Sequence, residues 1–270
     1  MGLPTTTPGL SGDLVLRWAQ RAEEGPFASL GVLDRIAYDS FDPLVSLAAA
    51  AAVTSRIRLV TMVVIGPART TAMLAKQAAS IDSISGGRLT LGLSVGARAE
   101  DFRAARIDPR GRGRRFSEQL LDLKLAWDDA SVAPDGGPEL LVGGLSGEAF
   151  ARAARYADGY VHGGGPPRAF ARAAQTAWSA WSDLGRTGRP LFYGQGYFAL
   201  EDSDAGAAYL RHYYSFTGPF AERIAAGNLT TPQAVRDFVR GYEDAGCDHL
   251  VLLPTVSAID QLDRLADLLA

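Results

Sequence analysis

The chain has 270 residues, 47% hydrophobic and 21% charged, with a formal net charge of −3, so it carries no basic excess to suit nucleic acid or an anionic membrane. Its single cysteine, Cys247, excludes an internal disulfide, and no cluster of Cys and His at zinc spacing points to a metal. The start, Met1 to Asp13, lacks a basic end and an apolar core, and the run Leu47 to Val53 is too short to span a bilayer, so a cytoplasmic protein is expected.

Met1 to Pro4 reads as a very short first strand. Asp13 reads as the N-cap of a helix to about Glu24, with Leu14, Trp18 and Ala22 on one face. Phe27 to Leu33 is the second strand and closes on Asp34-Arg35. Asp42-Pro43 opens a helix with Leu44, Leu47 and Ala51 inward, and its alanine-rich surface suits close packing on the sheet or a subunit interface. Strand Ile57 to Ile65, helix Thr71 to Ser85, the stop Gly86-Gly87 and strand Arg88 to Gly96 form a β-α-β unit of the parallel kind. Its strands are nearly continuous apolar runs, as expected of a sheet buried on both faces.

Arg98 to Gly113 is polar and turn-like, and Arg114 to Asp128 is a helix with Phe116, Leu120, Leu123 and Trp127 in one stripe. A further unit joins strand Glu139 to Val142, the glycine corner Gly143 to Gly147 and helix Glu148 to Tyr156. The next begins at Asp158 with the strand GYVH, breaks at Gly163-Gly164-Gly165-Pro166-Pro167 and continues as a helix to about Leu184. Strand Leu191 to Leu200 leads into a polar, aromatic segment, Glu201 to Leu229. Helix Thr231 to Ala245, strand His249 to Leu253 and helix Ala258 to Leu269 close the chain.

About eight strands, most followed by a helix, predict an α/β fold: one (β/α)8 TIM barrel over residues 1–270 as a single domain. A doubly wound open sheet is the alternative, but it would more often place a glycine fingerprint after the first strand, where none stands. Chemistry in such folds gathers at the carboxyl ends of the strands. Gly96 lies there, as do His162, with an imidazole for acid–base work, and the pair Asp34-Arg35.

Each candidate also has a plain structural explanation. The corner Gly143 to Gly147 suits a phosphate, through its amides, Ser146 and a helix start, or is simply a turn with Ser146 as N-cap. The arginines 98, 103, 106, 110, 112, 114 and 115 suit a polyanionic tail, or a solvated loop balanced by Glu100, Asp101 and Asp108. His249 begins a strand and faces the opposite end, His212 sits on a helix face or a lid, and Cys247 is packing. Tyr38, Phe41, Tyr193 and Tyr197 hint at an apolar or aromatic substrate.

Taken together, the stretch VTSRIRLVTMVVIGPARTTAMLAKQAASIDSISGGRLTLGLSVG, then RGRRFSEQLLDLKLAW, LLVGGLSGEAFARAARYADGYV and YEDAGCDHLVLLP resemble the bacterial luciferase-like oxidoreductases, β/α barrels that use FMN or the deazaflavin F420. The resemblance implies a cofactor site at Thr61, Met62 and Val63, with a bulge or a non-prolyl cis peptide at Met62-Val63 behind the ring. It implies Val95, Gly96 and Ala97 beside the ring or ribityl chain, Gly144, Leu145, Ser146 and Gly147 at the phosphate, and Gly163 at the rim. Asp34, Arg35 and His162 are the catalytic candidates, although Arg35 stands where relatives have histidine and Val95 where luciferase has arginine. The connection Asp129 to Pro138 is short for the family and the first strand is trimmed, which suggests an open mouth or a lost cofactor.

The activity so implied is hydride transfer with F420, or oxygenation of a small organic substrate with reduced FMN from a separate reductase. RIRLVTMVVIGP and SISGGRLTLGLSVG look closest to the F420 branch. A non-catalytic luciferase-like flavin-binding or partner subunit is the alternative, and a homodimer is expected.

Overall fold

The computed structural model describes residues 1–133 and 135–269; Pro134, inside the short connection, and Ala270, the end of the expected domain, lie outside the described residues. Seven strands form one parallel ladder in the order β1 (Ser29–Val32), β2 (Arg58–Thr61), β4 (Leu89–Ser94), β5 (Glu139–Gly143), β6 (Gly159–Val161), β7 (Leu191–Phe198) and β8 (His249–Pro254). The two-residue β3 (Val64–Ile65) continues β2 beyond a break and pairs with β4. The expected strand Ile57 to Ile65 is therefore interrupted, at a cis peptide between Met62 and Val63.

Met1–Leu3 supplies the missing stave. The Gly2 amide donates to the Leu252 carbonyl at 2.7 Å, while Gly31 N–H reaches Met1 and Leu3 N–H reaches Gly31, each at 2.8 Å. A bridge at Gly2–Gly31 thus carries hydrogen bonding from β8 to β1 and closes the barrel. Glycine is needed on both sides, because a Cβ at Gly2 would press on Leu253 and one at Gly31 on Val251 and Met62.

Helices α1 (Gly12–Glu24), α2 (Pro43–Val53), α3 (Thr71–Ser85), α4 (Ala99–Ala104), α5 (Arg112–Trp127), α6 (Gly147–Tyr156) and α7 (Pro167–Asp183) follow the strands in turn. Helices α8 (Ser203–Tyr213), α9 (Phe220–Ala226), α10 (Pro232–Asp244) and α11 (Asp260–Leu269) complete the shell. Helix α2 starts as expected, its Asp42 carboxylate taking the N–H groups of Leu44 and Val45. Helix α1 is capped by Ser11 rather than Asp13, which instead pairs with Arg17 one turn on. Helix α4 occupies a segment expected to be turn-like, while α8 and α9 lie in the segment that reads only as polar and aromatic, with His212 on a helix as one of its two readings.

The strands bury two separate apolar layers, because successive side chains point to opposite faces. Leu89, Leu91 and Leu93 of β4 face the shell and pack with Leu74 and Phe116, whereas Val60, Leu141, Val161 and Val251 fill the lumen. At the amino ends of the strands the lumen is plugged by polar groups: Glu139 accepts from Thr90 at 2.9 Å and from Arg58 and Tyr193 at 3.3 Å. His249 stacks on Tyr193 there, at 4.6 Å between ring centroids. Among the described residues, no helix is long and apolar enough to cross a membrane.

The segment ahead of β2 is held by Glu23, whose carboxylate takes the N–H groups of Ser55, Arg56 and Ile57 at 2.9, 2.7 and 3.0 Å. Burial raises this carboxyl, but the donors outweigh it and bring it from 4.5 down to about 2. A depressed folded pKa adds stability in full above the unfolded value and loses it as pH falls through the folded one. Glu23→Gln is therefore expected to be less stable than the native chain at pH 7, with the gap narrowing between pH 4.5 and 2 in urea unfolding series.

Candidate active site at the carboxyl ends of the strands

A cavity of about 330 Å³ opens where β2, β4, β5, β6 and β7 end. Met62, Val63, Val95, Ala97 and Val161 make its apolar walls, and Gly96, Gly143, Gly144 and Gly163 contribute backbone. Gly96 has φ +73°, which suits glycine, and a Cβ there would press on Ile65 and Phe102. Ser94, Gln195 and Arg112 are its polar side chains, and Arg112 is the one charged residue among them. The Arg112 guanidinium donates to the Pro109 carbonyl at 3.3 Å, while its buried Nε has no partner among the described residues.

Seven of the expected cofactor residues meet at this cavity: Met62, Val63, Val95, Gly96, Ala97, Gly144 and Gly163. Thr61 does not, because its hydroxyl donates to the Gly92 carbonyl at 2.7 Å and accepts the Gly92 N–H at 2.8 Å, tying β2 to β4. Leu145, Ser146 and Gly147 run outward from Gly144 to the surface, with Leu145 70% exposed. The Ser146 hydroxyl caps α6 by accepting from Ala149 N–H at 3.3 Å, so the turn explanation of this corner holds, and its outer face is open to a ligand.

The three catalytic candidates are placed differently from expectation. Val161 points into the lumen, so His162, one residue on, points into the shell, where its ring lies edge-on to Phe170 at 5.9 Å. Burial lowers its pKa to about 4 and its Nδ1 has no partner among the described residues, so the imidazole is a neutral packing group turned away from the cavity. Asp34 is fully buried, accepts from Ile65 N–H at 2.9 Å and pairs with Arg69 at 3.0 Å. Burial raises its pKa against the pull of Arg69. Arg35 is enclosed by Glu100 at 3.1 Å and Asp101 at 3.4 Å, and lies over Tyr38 at 4.7 Å. Neither Asp34 nor Arg35 lines the cavity; both hold loops around it.

The lumen is covered by the polar, aromatic segment in which His212 reads from the sequence as a helix-face or lid residue, and His212 lies on α8. Tyr209 and Tyr213 of α8 pack onto Leu33, Met62 and Val251, so α8 and α9 form a roof. Arg98 is buried beneath it at 4.4 Å from the rings of both Tyr213 and Phe216, with no carboxylate partner among the described residues. Tyr197 and Tyr214 share a 2.5 Å hydrogen bond, and Tyr38 meets His212 at 2.9 Å. None of Tyr38, Phe41, Tyr193 and Tyr197 lines the cavity, contrary to expectation. The elements that flank the short connection, the end of α5 at Trp127 and the start of β5 at Glu139, meet at the amino ends of the strands, away from the mouth. Cys247 is packing, with its thiol donating to the His249 carbonyl at 3.2 Å and burial pushing its pKa up to about 12.

A family model described as luciferase-like monooxygenase matches residues 3–251. An uncharacterised protein of Mycobacterium tuberculosis is 32% identical over 187 residues, which are 55% of this chain and 65% of that protein, so under two thirds of that relative's length is spanned. The fold is similar to that of an F420-dependent secondary alcohol dehydrogenase solved with an F420–acetone adduct: TM-score 0.81, 15% identity, 94% of this chain and 92% of that one. It is also similar to a riboflavin lyase solved with modified FMN and riboflavin, at TM-score 0.77 and 14% identity over 99% and 90%. At such identities the likeness is one of fold.

Removing the Asp34 carboxylate leaves the Ile65 N–H unmet and Arg69 with Asp42 alone, at 2.8 Å. Asp34→Ala is expected to lower the unfolding free energy by about 2–3 kcal/mol in urea titrations, and Asp34→Asn, which keeps an acceptor for Ile65, by roughly half that.

Proposed function

The chain belongs to the luciferase-like monooxygenase family, and on that premise we propose that it is an oxidoreductase whose mouth cavity holds the ring of F420 or of reduced FMN beside a small organic substrate. The observation that supports this most is the cavity itself: apolar walls, glycine edges and a single cation. Its volume, about 330 Å³, is of the size expected for a small-molecule site.

The residues present fit such a group. A flat tricyclic ring needs apolar surface on its faces and room for its edges, which Met62, Val63 and Val161 on one hand and Gly96, Gly143 and Gly163 on the other provide. An anionic tail needs a cation and N–H donors, which Arg112 and the exposed start of α6 at Ser146-Gly147 provide. When bound, F420 would supply hydride exchange at its C5, and reduced FMN would supply activation of oxygen. The chain's own part is to position and to exclude water: Val95 and Ala97 keep the wall dry, Arg35 and Arg98 grip the Tyr213 segment of the roof, and Asp34 with Arg69 fixes β3 next to Met62-Val63.

Fluorescence titration of the purified chain with FMN and with F420 is the direct test. Saturable binding of one of them is expected, with Arg112→Leu weakening FMN about tenfold and leaving riboflavin, which lacks the phosphate, nearly unchanged. Saturable binding of neither would overturn the proposal in favour of a non-catalytic partner subunit.

We further propose a homodimer through α2, α3 and α5, neighbouring helices that expose Val45, Met73, Ile84, Leu121 and Leu125. Sedimentation velocity at micromolar protein is expected to give a dimer, and a monomer there would refute it.

A further inference from the structure

Gln195 stands on the lumen side of β7, between the inward-facing Tyr193 and Tyr197, and is 4% exposed. An amide in such a place is costly unless its hydrogen bonds are met. Its Nε2 donates to the Gly163 carbonyl at 3.1 Å. That contact requires the bend at Gly164, φ +96°, where a Cβ would sit 3.2 Å from the Gln195 carbonyl oxygen. The carbonyl of Gly163 can only accept, so it fixes which end of the amide is nitrogen. The amide oxygen and the second N–H have no partner among the described residues, and Gln195 lines the cavity.

On the reading that this cavity holds a flavin or deazaflavin ring, we infer that Gln195 recognises the ring's pyrimidinedione edge. Both rings carry an imide N–H flanked by carbonyls, and that N–H is the ring-nitrogen donor of the oxidised flavin or deazaflavin. An acceptor oxygen beside a donor N–H on one carboxamide is complementary to an imide N–H beside a carbonyl. Gln195 accepts from the N3–H and donates to an adjacent ring carbonyl. The N3–H survives reduction of the ring, so the contact serves both redox states. Gln195 is thus a positioning residue that sets the ring's rotation within the cavity.

The experiment is a double-mutant cycle between the protein and the ring. FMN and N3-methyl-FMN are titrated by fluorescence into the native chain and into Gln195→Leu; if F420 is the coenzyme that binds, 8-hydroxy-5-deazariboflavin and its N3-methyl derivative replace them. The native chain is expected to bind the unmethylated ring at least tenfold more tightly, and Gln195→Leu to reduce that preference about tenfold. A residual preference from the bulk of the methyl group is common to both proteins and cancels in the cycle. The native chain binding both rings equally, or Gln195→Leu keeping the whole preference, overturns the inference while leaving ring binding intact. Failure of every ring to bind the native chain overturns the coenzyme reading instead. Should Gln195→Leu not fold, the native chain's preference is measured alone, supported by the N3–H proton of 15N-labelled FMN, which is expected to exchange slowly with water when bound; rapid exchange counts against the contact.

Discussion

Closing eight parallel staves into a ring forces every strand to serve two interiors at once, and that constraint decides which residues reach the mouth. Side chains two apart share a face, so a shift of one residue exchanges lumen for shell. Val161 lines the cavity and His162 does not; Gln195 does, while its neighbours Gly194 and Gly196 give room to Tyr242 and Phe238 of the shell. The closure that imposes this phase hangs on Gly2 and Gly31, where backbone meets backbone without a side chain between.

The charged residues around the mouth fall into two groups, separated by whether burial has been compensated. Asp101 takes the N–H groups of Ile36 and Ala37 at 2.9 and 2.8 Å and faces Arg35, so its buried charge is met by donors and a cation. Asp34 is met in the same way by Ile65 and Arg69. Breaking such pairs strands a charge in a poor solvent, which makes them structural anchors. Arg98 has aromatic faces where Arg35 has carboxylates, and cation–π contact offsets part of its desolvation. Arg112 lies 5.9 Å from the Phe102 ring and has no carboxylate partner among the described residues; what sets it apart from Arg98 is that it lines the cavity.

The sequence carried the staves and the corner well, because both depend on local chemistry. Continuous apolar runs mark buried parallel strands, Asp42-Pro43 marks a helix start, and Gly143-Gly144 marks a backbone that must turn without a side chain. Strand phase was not legible at β6, since GYVH has apolar or aromatic residues on both faces and three ordered residues cannot display a period. The bounds of α8 and α9 were not legible beyond the helix or lid offered at His212, because their buried side is defined by the lumen they cover, a surface that exists only after the ring has closed. Arg112 was lost among seven arginines, and nothing local distinguishes the one at a helix start beneath the mouth. Gln195 did leave a signal, a lone uncharged polar residue inside the apolar run LFYGQGYF, and a buried polar residue with no charge to explain it is worth more notice than a conspicuous histidine.

Among the described residues the cavity wall offers a hydroxyl, an amide, a guanidinium and backbone, but no carboxylate or imidazole. The His162 imidazole is in the shell, and the Asp34 carboxylate is spent on Arg69 and Ile65. A general acid or base must come within hydrogen-bond reach of the atom it serves, and the wall supplies no such group in the pH range where proteins work. Arginine does not titrate there, and serine and glutamine do not ionise. Such a wall can orient, neutralise an anion and keep water out, which suits a reaction whose bond-making atoms belong to a coenzyme. Arg35, locked between two carboxylates and two aromatic rings, is consistent with that division: it belongs to the frame that holds the roof.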